Sequence, residues 1–115
     1  INGDGSTSRD FCYVENVIQA NLLAAFASEK AKNHVFNVAV GDSTSLNQLF
    51  QMISDILSDH KIYYSLEPKY ADFRDGDVKH SQANIDKAKK MLGYDPQFNV
   101  KEGLQLAISW YLKNQ

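Results

Sequence analysis

The stretch that decides the fold is a polar loop that leads directly into an amphipathic segment. It reads Gly3-Asp4-Gly5-Ser6-Thr7-Ser8-Arg9-Asp10-Phe11-Cys12-Tyr13-Val14. Glycine, aspartate and hydroxyl residues fill its first half, which is typical of a turn. From Val14 onward the spacing predicts a helix over residues 14–26, whose one face carries Val14, Val17, Ile18, Asn21, Leu22, Ala25 and Phe26.

The middle of the chain alternates predicted strands and a predicted helix. Residues 35–40 are short, rich in valine and bounded by polar residues, which predicts a buried strand. Ser45 and Gln48 have the spacing of a capping box, so a helix is expected to follow Ser45. Residues 61–66 predict a further strand, which Pro68 ends.

The last third predicts a loop and two helices. Residues 70–81 have no helical period and predict a loop with some extended structure. Asn84 can cap a short helix that Gly93 closes in a left-handed conformation. The last helix is expected to begin near Asn99.

This order of elements predicts an α/β fold with few short strands and about four helices. Residues 1–115 fit one small domain. A complete doubly wound nucleotide-binding sheet uses about six strands, which is more than this chain offers. A complete Rossmann sheet is therefore expected to be absent.

Composition excludes several classes of partner. The net charge of −2 argues against a general nucleic-acid surface. Cys12 is the single cysteine, so an internal disulfide is excluded, and with the three histidines it shows no zinc spacing, so we predict no metal site. No apolar run approaches the ~20 residues that span a bilayer, and no signal-like start is present. We expect a cytoplasmic protein and, because it opens on Ile1, a piece of a longer chain.

Two loop segments, residues 3–14 and 73–81, each place an arginine among glycine and aspartate. The planar guanidinium fork matches two phosphate oxygens at once. Arg9 and Arg74 therefore predict a diphosphate-binding site. The alternative from spacing alone is that Arg9–Asp10 and Arg74 with Asp75 or Asp77 are surface ion pairs.

No residue of the chain is predicted to be catalytic. His80 is more simply a hydrogen-bonded structural residue, and Cys12 is more simply a packing residue. The glycine fingerprints of the P-loop and of dinucleotide-binding folds are both absent, so nothing here predicts a cofactor-binding loop. None of the six tyrosines is followed by a lysine four positions later.

At these segments the sequence resembles the C-terminal half of extended short-chain dehydrogenase/reductase enzymes. It is most similar to UDP-N-acetylglucosamine 4-epimerases and to relatives that epimerise UDP-N-acetylglucosaminuronate in bacterial polysaccharide synthesis. The resemblance covers essentially the whole chain. It is carried by residues 3–17 and 19–21, by 35–38 with Gly41, by 74–81, by 85–88 and by 92–96.

The resemblance implies a C-terminal UDP-sugar-binding domain over residues 1–115 of a larger NAD-dependent enzyme. In such enzymes a separate N-terminal domain binds NAD and supplies a catalytic tyrosine with its lysine, so the fragment alone is expected to be inactive. The implied parent is a UDP-N-acetylhexosamine or UDP-N-acetylhexosaminuronate 4-epimerase, and a homodimer. The alternatives are a nucleotide-sugar dehydratase or decarboxylase, and a non-catalytic interaction domain.

The resemblance also implies roles for individual residues. Arg9 and Arg74 match the two arginines directed at the diphosphate of UDP. Asp77 matches the acid that accepts a hydrogen bond from a ribose hydroxyl. Ser81 matches the position that limits the room around the sugar 2-substituent, and its small size implies space for an N-acetyl group. Phe11 stands where galactose-type relatives often carry tyrosine, which leaves ring packing as its implied contribution.

Overall fold

The computed structural model describes residues 1–114. It contains four α-helices and two short strands, in the order β1 (Ser8–Arg9), α1 (Val14–Ala25), a 3-10 turn (Glu29–Ala31), β2 (Thr44–Ser45), α2 (Leu46–Asp59), α3 (Asp86–Leu92) and α4 (Val100–Lys113). β1 and β2 pair antiparallel, with Ser8 opposite Ser45 and Arg9 opposite Thr44. The α/β class with few short strands is confirmed, and the described residues form no complete Rossmann sheet.

Hydrogen bonds confirm the predicted starts of α2 and α4 and the predicted end of α3. The cap predicted at Asn84 is wrong: Ile85 is the N-cap residue of α3, and Asn84 Oδ1 accepts from Asp86 N at 2.9 Å just before the helix. At the start of α2, Ser45 Oγ accepts from Gln48 N at 3.2 Å, and Gln48 Oε1 accepts from Ser45 N at 2.8 Å. Asn99 and Glu102 form the same reciprocal box at the start of α4. Gly93 closes α3 with φ +69°, a conformation that costs glycine little because it lacks Cβ.

Both strands predicted over residues 35–40 and 61–66 are wrong, because neither segment forms a strand. A strand needs a neighbour to pair its backbone groups, and the described residues supply none beside either segment. In the first segment side chains take that place: the Tyr94 hydroxyl donates to Ala39 O at 2.7 Å, and Val40 N donates to Asp10 at 3.0 Å. The second segment is exposed throughout.

Helix α1 forms as predicted, but the apolar face on its sequence pattern is not buried. Val14 is 58% exposed, Ile18 49% and Leu22 57%. The buried residues of α1 are Asn16 and Ala20, on a different face. Nothing among residues 1–114 covers the predicted face, so the amphipathic pattern identified the helix without identifying what it packs against.

The core is small and the molecule is flat. One cluster of buried residues joins α1, α3 and the segment before β2, and consists of Ala20, Ala39, Ile85, Ala88 and Tyr94. Helices α2 and α4 pack on each other as a second unit. The radius of gyration is 16.8 Å, whereas a compact domain of this length is expected at about 13 Å. The principal extents of 53 × 37 × 19 Å describe a slab with little interior.

Two buried polar side chains connect the slab's parts. Asn16 is fully buried; its Nδ2 donates to Phe98 O at 2.8 Å, and its Oδ1 accepts from Gln97 N and Phe98 N. Tyr94 is 1% exposed, and its hydroxyl bonds the Ala39 carbonyl. In the described part of the chain, no helix has both the length and the apolar character to cross a membrane.

Candidate functional site

The two loop segments singled out in the sequence lie side by side in the structure. Gly3 N donates to Ala71 O at 2.7 Å, which joins their first ends. Further along, Ser8 N donates to Lys79 O at 2.9 Å and Ser81 N donates to Ser8 O at 3.1 Å. The pairing is parallel at both points. The juxtaposition of residues 1–10 with residues 69–81 places Arg9 and Arg74 on neighbouring stretches of backbone.

Arg9 is held by three acceptors on two segments. Its Nη2 donates to Asp77 Oδ1 at 2.5 Å, and its Nη1 donates to Ser8 O at 2.7 Å and to Lys79 O at 3.4 Å. The side chains of Arg9 and Asp77 are 29% and 41% exposed. Arginine has five N–H donors, so Nε–H and one hydrogen of Nη2 stay free for a ligand. The guanidinium is therefore fixed in place while part of it still faces solvent.

Arg74 lies on the exposed side of the same pair of segments. With the Asn2 amide turned so that its oxygen faces the guanidinium, that oxygen accepts from Arg74 Nε at 2.7 Å and from Nη2 at 3.2 Å. The neighbouring Phe73 ring packs over Gly3, where an added Cβ would lie 2.2 Å from a ring carbon. The absence of a side chain at Gly3 thus permits the close approach that brings Arg74 beside residues 1–3.

The local ion pairs that spacing offered as an alternative are wrong. Asp77 pairs with Arg9, which is 68 residues away along the chain, and not with Arg74. Asp10 forms no ion pair with its neighbour Arg9, because its carboxylate accepts from backbone N–H groups. Both arginines are therefore held by tertiary contacts.

Asp10 was missed by the sequence analysis as an organising residue. Its Oδ1 accepts from Val40 N at 3.0 Å, and its Oδ2 accepts from Gly41 N at 3.0 Å and Ala83 N at 3.3 Å. The only sequence signal was an aspartate next to Arg9, and that adjacency pointed to a local ion pair instead. Side-chain–backbone contacts over such separations leave no periodic pattern in a sequence.

His80 and Ser81 lie where the second segment meets β1. The His80 Nδ1 and Ser8 Oγ are 2.9 Å apart, and Ser43 Oγ donates to Ser8 Oγ at 2.9 Å. His80 thus has a structural hydrogen bond, as the simpler interpretation predicted. Ser81 is exposed, with its backbone bonded to Ser8, so its small side chain is accessible at the rim of the site.

Phe11 and Cys12 lie on a different surface of the slab. With Tyr13 they line a mainly apolar cavity of about 280 Å³, together with residues of α2 and α4. Burial raises the pKa of the Cys12 thiol. Phe11 is half-buried in apolar surroundings, and the lining of its cavity includes neither arginine.

The arrangement can bind an anion but offers little chemistry of its own. Two arginines present free N–H groups beside one carboxylate, Asp77. Within residues 1–114, no group of three or more potential metal ligands lies together. Positive charge and unbonded N–H groups are thus the chemistry that this pair of segments presents to solvent.

A protein-family model described as GDP-mannose 4,6 dehydratase matches residues 1–107. The chain belongs to this family. Its structure matches the C-terminal part of extended short-chain dehydrogenase/reductase epimerases, as the sequence resemblance implied.

Three solved structures illustrate how family members compare with this chain. A UDP-glucose 4-epimerase from Thermotoga maritima, solved with UDP-glucose, is 39% identical with a TM-score of 0.87 over 99% of this chain. A UDP-N-acetylglucosamine 4-epimerase from Methanobrevibacter ruminantium, in complex with UDP-N-acetylmuramic acid, is 37% identical with a TM-score of 0.85 over the whole chain. MoeE5, in complex with UDP-glucuronic acid and NAD, is 28% identical with a TM-score of 0.85 over the whole chain.

The chain spans about a third of the length of these relatives, namely 34%, 34% and 36%. The residues present do not fit NAD, because the glycine fingerprint that holds a dinucleotide pyrophosphate is absent and the described residues form no parallel sheet with a glycine-rich turn. This part of the family fold is therefore assigned no step that involves the cofactor.

Proposed function

We propose that this chain is the substrate-binding part of an NAD-dependent 4-epimerase that acts on a UDP-N-acetylhexosamine or a UDP-N-acetylhexosaminuronate. The observation that carries the proposal is the parallel contact between residues 1–10 and 69–81, the two segments that hold Arg9 and Arg74. The UDP-sugar epimerases among its relatives support the reaction class.

In this proposal the chain binds the diphosphate and the ribose of the nucleotide. The free N–H groups of Arg9 and Arg74 bind the diphosphate, where charge-assisted hydrogen bonds are each worth about 1.5–3 kcal/mol. Asp77 orients Arg9 through Oδ1, and its Oδ2, which bonds no other residue among 1–114, accepts from a ribose hydroxyl. A guanidinium held in place before the ligand arrives loses less conformational entropy on binding.

The proposed N-acetyl specificity depends on Ser81. Its exposed, small side chain leaves room for a bulky 2-substituent on the sugar. Phe11 contributes only ring packing. Ser81→Tyr in the full-length enzyme should reduce turnover of UDP-N-acetylglucosamine by about tenfold to a hundredfold relative to UDP-glucose. Equal effects on the two substrates would remove Ser81 from the specificity site.

We further propose that a preceding N-terminal domain binds NAD and supplies the catalytic residues, and that residues 1–115 alone are inactive. The exposed apolar face of α1 and the exposed residues 61–66 support a missing neighbour, because isolated domains rarely leave so much apolar surface uncovered. A homodimeric, cytoplasmic enzyme, with a place in polysaccharide biosynthesis, completes the proposal. The proposed cytoplasmic location is supported by the single cysteine, because proteins of reducing compartments rarely contain disulfides.

The decisive experiment titrates UDP-N-acetylglucosamine into the full-length enzyme by calorimetry. Arg9→Ala and Arg74→Ala should each weaken binding by at least about tenfold, since each removes a charge-assisted contact. Lys101→Ala, on the exposed side of α4, is the matched control and should leave binding unchanged. Wild-type affinity in both arginine variants would contradict the proposal.

A nucleotide-sugar dehydratase is the second candidate, because the matching family model carries that description. The same titration would then succeed, so product analysis separates the two. A 4-keto-6-deoxy sugar in the reaction mixture of the full-length enzyme identifies a dehydratase, and released CO₂ identifies a decarboxylase. A non-catalytic interaction domain would bind no nucleotide sugar at all.

A further inference from the structure

The carboxylate of Asp10 joins, through hydrogen bonds, the segments that carry the candidate site. Asp10 accepts hydrogen bonds from Val40 N and Gly41 N, which precede β2, and from Ala83 N, which follows the 74–81 segment. The same two segments are joined again by Gln82 Nε2, which donates to Gly41 O at 2.6 Å. Asp10 is half-buried, so water competes only partly for these bonds.

The position of Asp10 couples it to both halves of the site. Its neighbour Arg9 lies on β1, and β1 is bonded on one side to β2 and on the other to Lys79 and Ser81. Anchoring Ala83 therefore fixes the end of the segment that holds Asp77 and Ser81 against the backbone of Arg9.

The three hydrogen bonds that Asp10 accepts require a carboxylate at position 10. All three contacts are backbone N–H donors, and an ionised carboxylate has two oxygens that only accept. An asparagine would turn an NH₂ group toward at least one of these donors. Because its oxygens are committed to these N–H groups, Asp10 also leaves the Arg9 guanidinium free of a competing local ion pair.

We propose that Asp10 is a positioning residue for nucleotide binding, which sets Arg9 and the 77–83 segment at the spacing that the UDP part of the substrate needs. Asp10 does not touch the substrate and acts through Arg9. This inference rests on the proposed function, in which Arg9 binds the diphosphate.

The test is a double-mutant cycle between Asp10→Asn and Arg9→Ala, with UDP titrated into the full-length enzyme by calorimetry. Asp10→Asn alone should weaken UDP binding by about tenfold, as expected for the loss of one charge-assisted contact. In the Arg9→Ala background the same change should cost less than about threefold, because the group that Asp10 positions is gone. An equal factor in both backgrounds, or none in either, would overturn the inference.

Asp42→Asn is the matched control, because Asp42 is a nearby exposed aspartate whose carboxylate accepts from Ser43 N within its own turn. It should leave UDP affinity unchanged. Circular dichroism checks that the Asp10→Asn enzyme is folded. If it is not, the cycle is repeated with Asp10→Glu, which keeps the charge and displaces both oxygens, and the same coupling is expected.

The outcomes separate this inference from the function on which it rests. If wild type does not bind UDP, or if Arg9→Ala has no effect, both the function and the inference fail. If Arg9→Ala weakens binding and the Asp10 variants do not, only the positioning role fails. Coupled losses support both.

Discussion

Residues 3–16 and residues 61–80 each approach the candidate site, yet the fold treats them differently. The first stretch is buried or half-buried over most of its length and is bonded on both sides, to β2 and to residues 79–81. The second is exposed almost throughout; its backbone bridges lie at Ala71 and His80, and its side chains add the Asp77–Arg9 and Tyr70–Asn47 contacts. The Arg9 guanidinium has three acceptors, one in the first stretch and two in the second, whereas Arg74 depends on one side chain, Asn2.

The difference between the two stretches indicates which of them makes the site rigid. Buried polar groups that are fully hydrogen-bonded specify one arrangement of the backbone around them. Exposed segments with few long-range bonds open at low free-energy cost. We expect substitutions of buried, hydrogen-bonded residues in the first stretch to change stability, in addition to any effect on binding, and substitutions in the exposed stretch to change binding alone.

The largest effect is expected at Asn16, the last residue of the bonded stretch. Asn16→Ala removes the buried partner of three part-buried backbone groups at residues 97 and 98, and should lower the free energy of unfolding by about 3 kcal/mol. Urea denaturation of the full-length enzyme measures the change. Asn21→Ala, on the exposed face of the same helix, is the control. A similar loss of stability there would show that the hydrogen bonds of Asn16 are not the cause.

A smaller loss is expected when the hydroxyl of Tyr94 is removed. Tyr94→Phe leaves the Ala39 carbonyl without its buried donor and should cost about 1–2 kcal/mol of stability, again measured in urea. Tyr63→Phe changes a tyrosine that is 78% exposed in the second stretch, and should cost nothing measurable. Equal stability of the two variants would contradict the expected difference between a buried, hydrogen-bonded tyrosine and an exposed tyrosine of the second stretch.

The Tyr94 contribution also has a predicted pH dependence. Burial raises the pKa of Tyr94, so the folded state holds the phenol proton more tightly than the unfolded state does. The stabilisation is present below the unfolded pKa of about 10 and is lost as pH rises above that value. The stability gap between wild type and Tyr94→Phe should therefore narrow in urea titrations above about pH 10.

In the exposed stretch, removing the support of Arg74 should affect binding modestly. Asn2→Ala should weaken UDP binding to the full-length enzyme by about threefold, because the guanidinium remains but is less ordered. Unfolding in urea should not change by more than about 0.5 kcal/mol. A loss as large as that of Arg74→Ala would mean that Asn2 contacts the nucleotide directly.

The smallest expected effect concerns Cys12 in the bonded stretch. Burial raises the pKa of its thiol, so less thiolate is present at neutral pH than in a free cysteine. Alkylation by iodoacetamide at pH 8 should be slower for the folded enzyme than for the enzyme unfolded in urea. Equal rates would show that the first stretch opens readily, a behaviour expected only of the exposed second stretch.

Part of the site was predictable from the sequence, because some signals are local. The capping box at Ser45, the helix start near Asn99 and the closing glycine at position 93 depend on neighbours within a few residues, and all three are confirmed. The strands at 35–40 and 61–66 failed because a strand is defined by its partner, which local composition does not encode. β1 and β2, each two residues long, are too short to show alternation.

By itself, the sequence determined the helices, the α/β class, the loops that carry Arg9 and Arg74, and the family resemblance. The tertiary structure alone decided that Asp77 pairs with Arg9, that Asp10 binds three backbone groups and that the apolar face of α1 stays exposed. The physical reason is the difference in sequence separation between the interacting groups. Propensity and capping act within a turn of chain, whereas the partner of a charge or an apolar face is set by segments that are distant in sequence and adjacent only after folding.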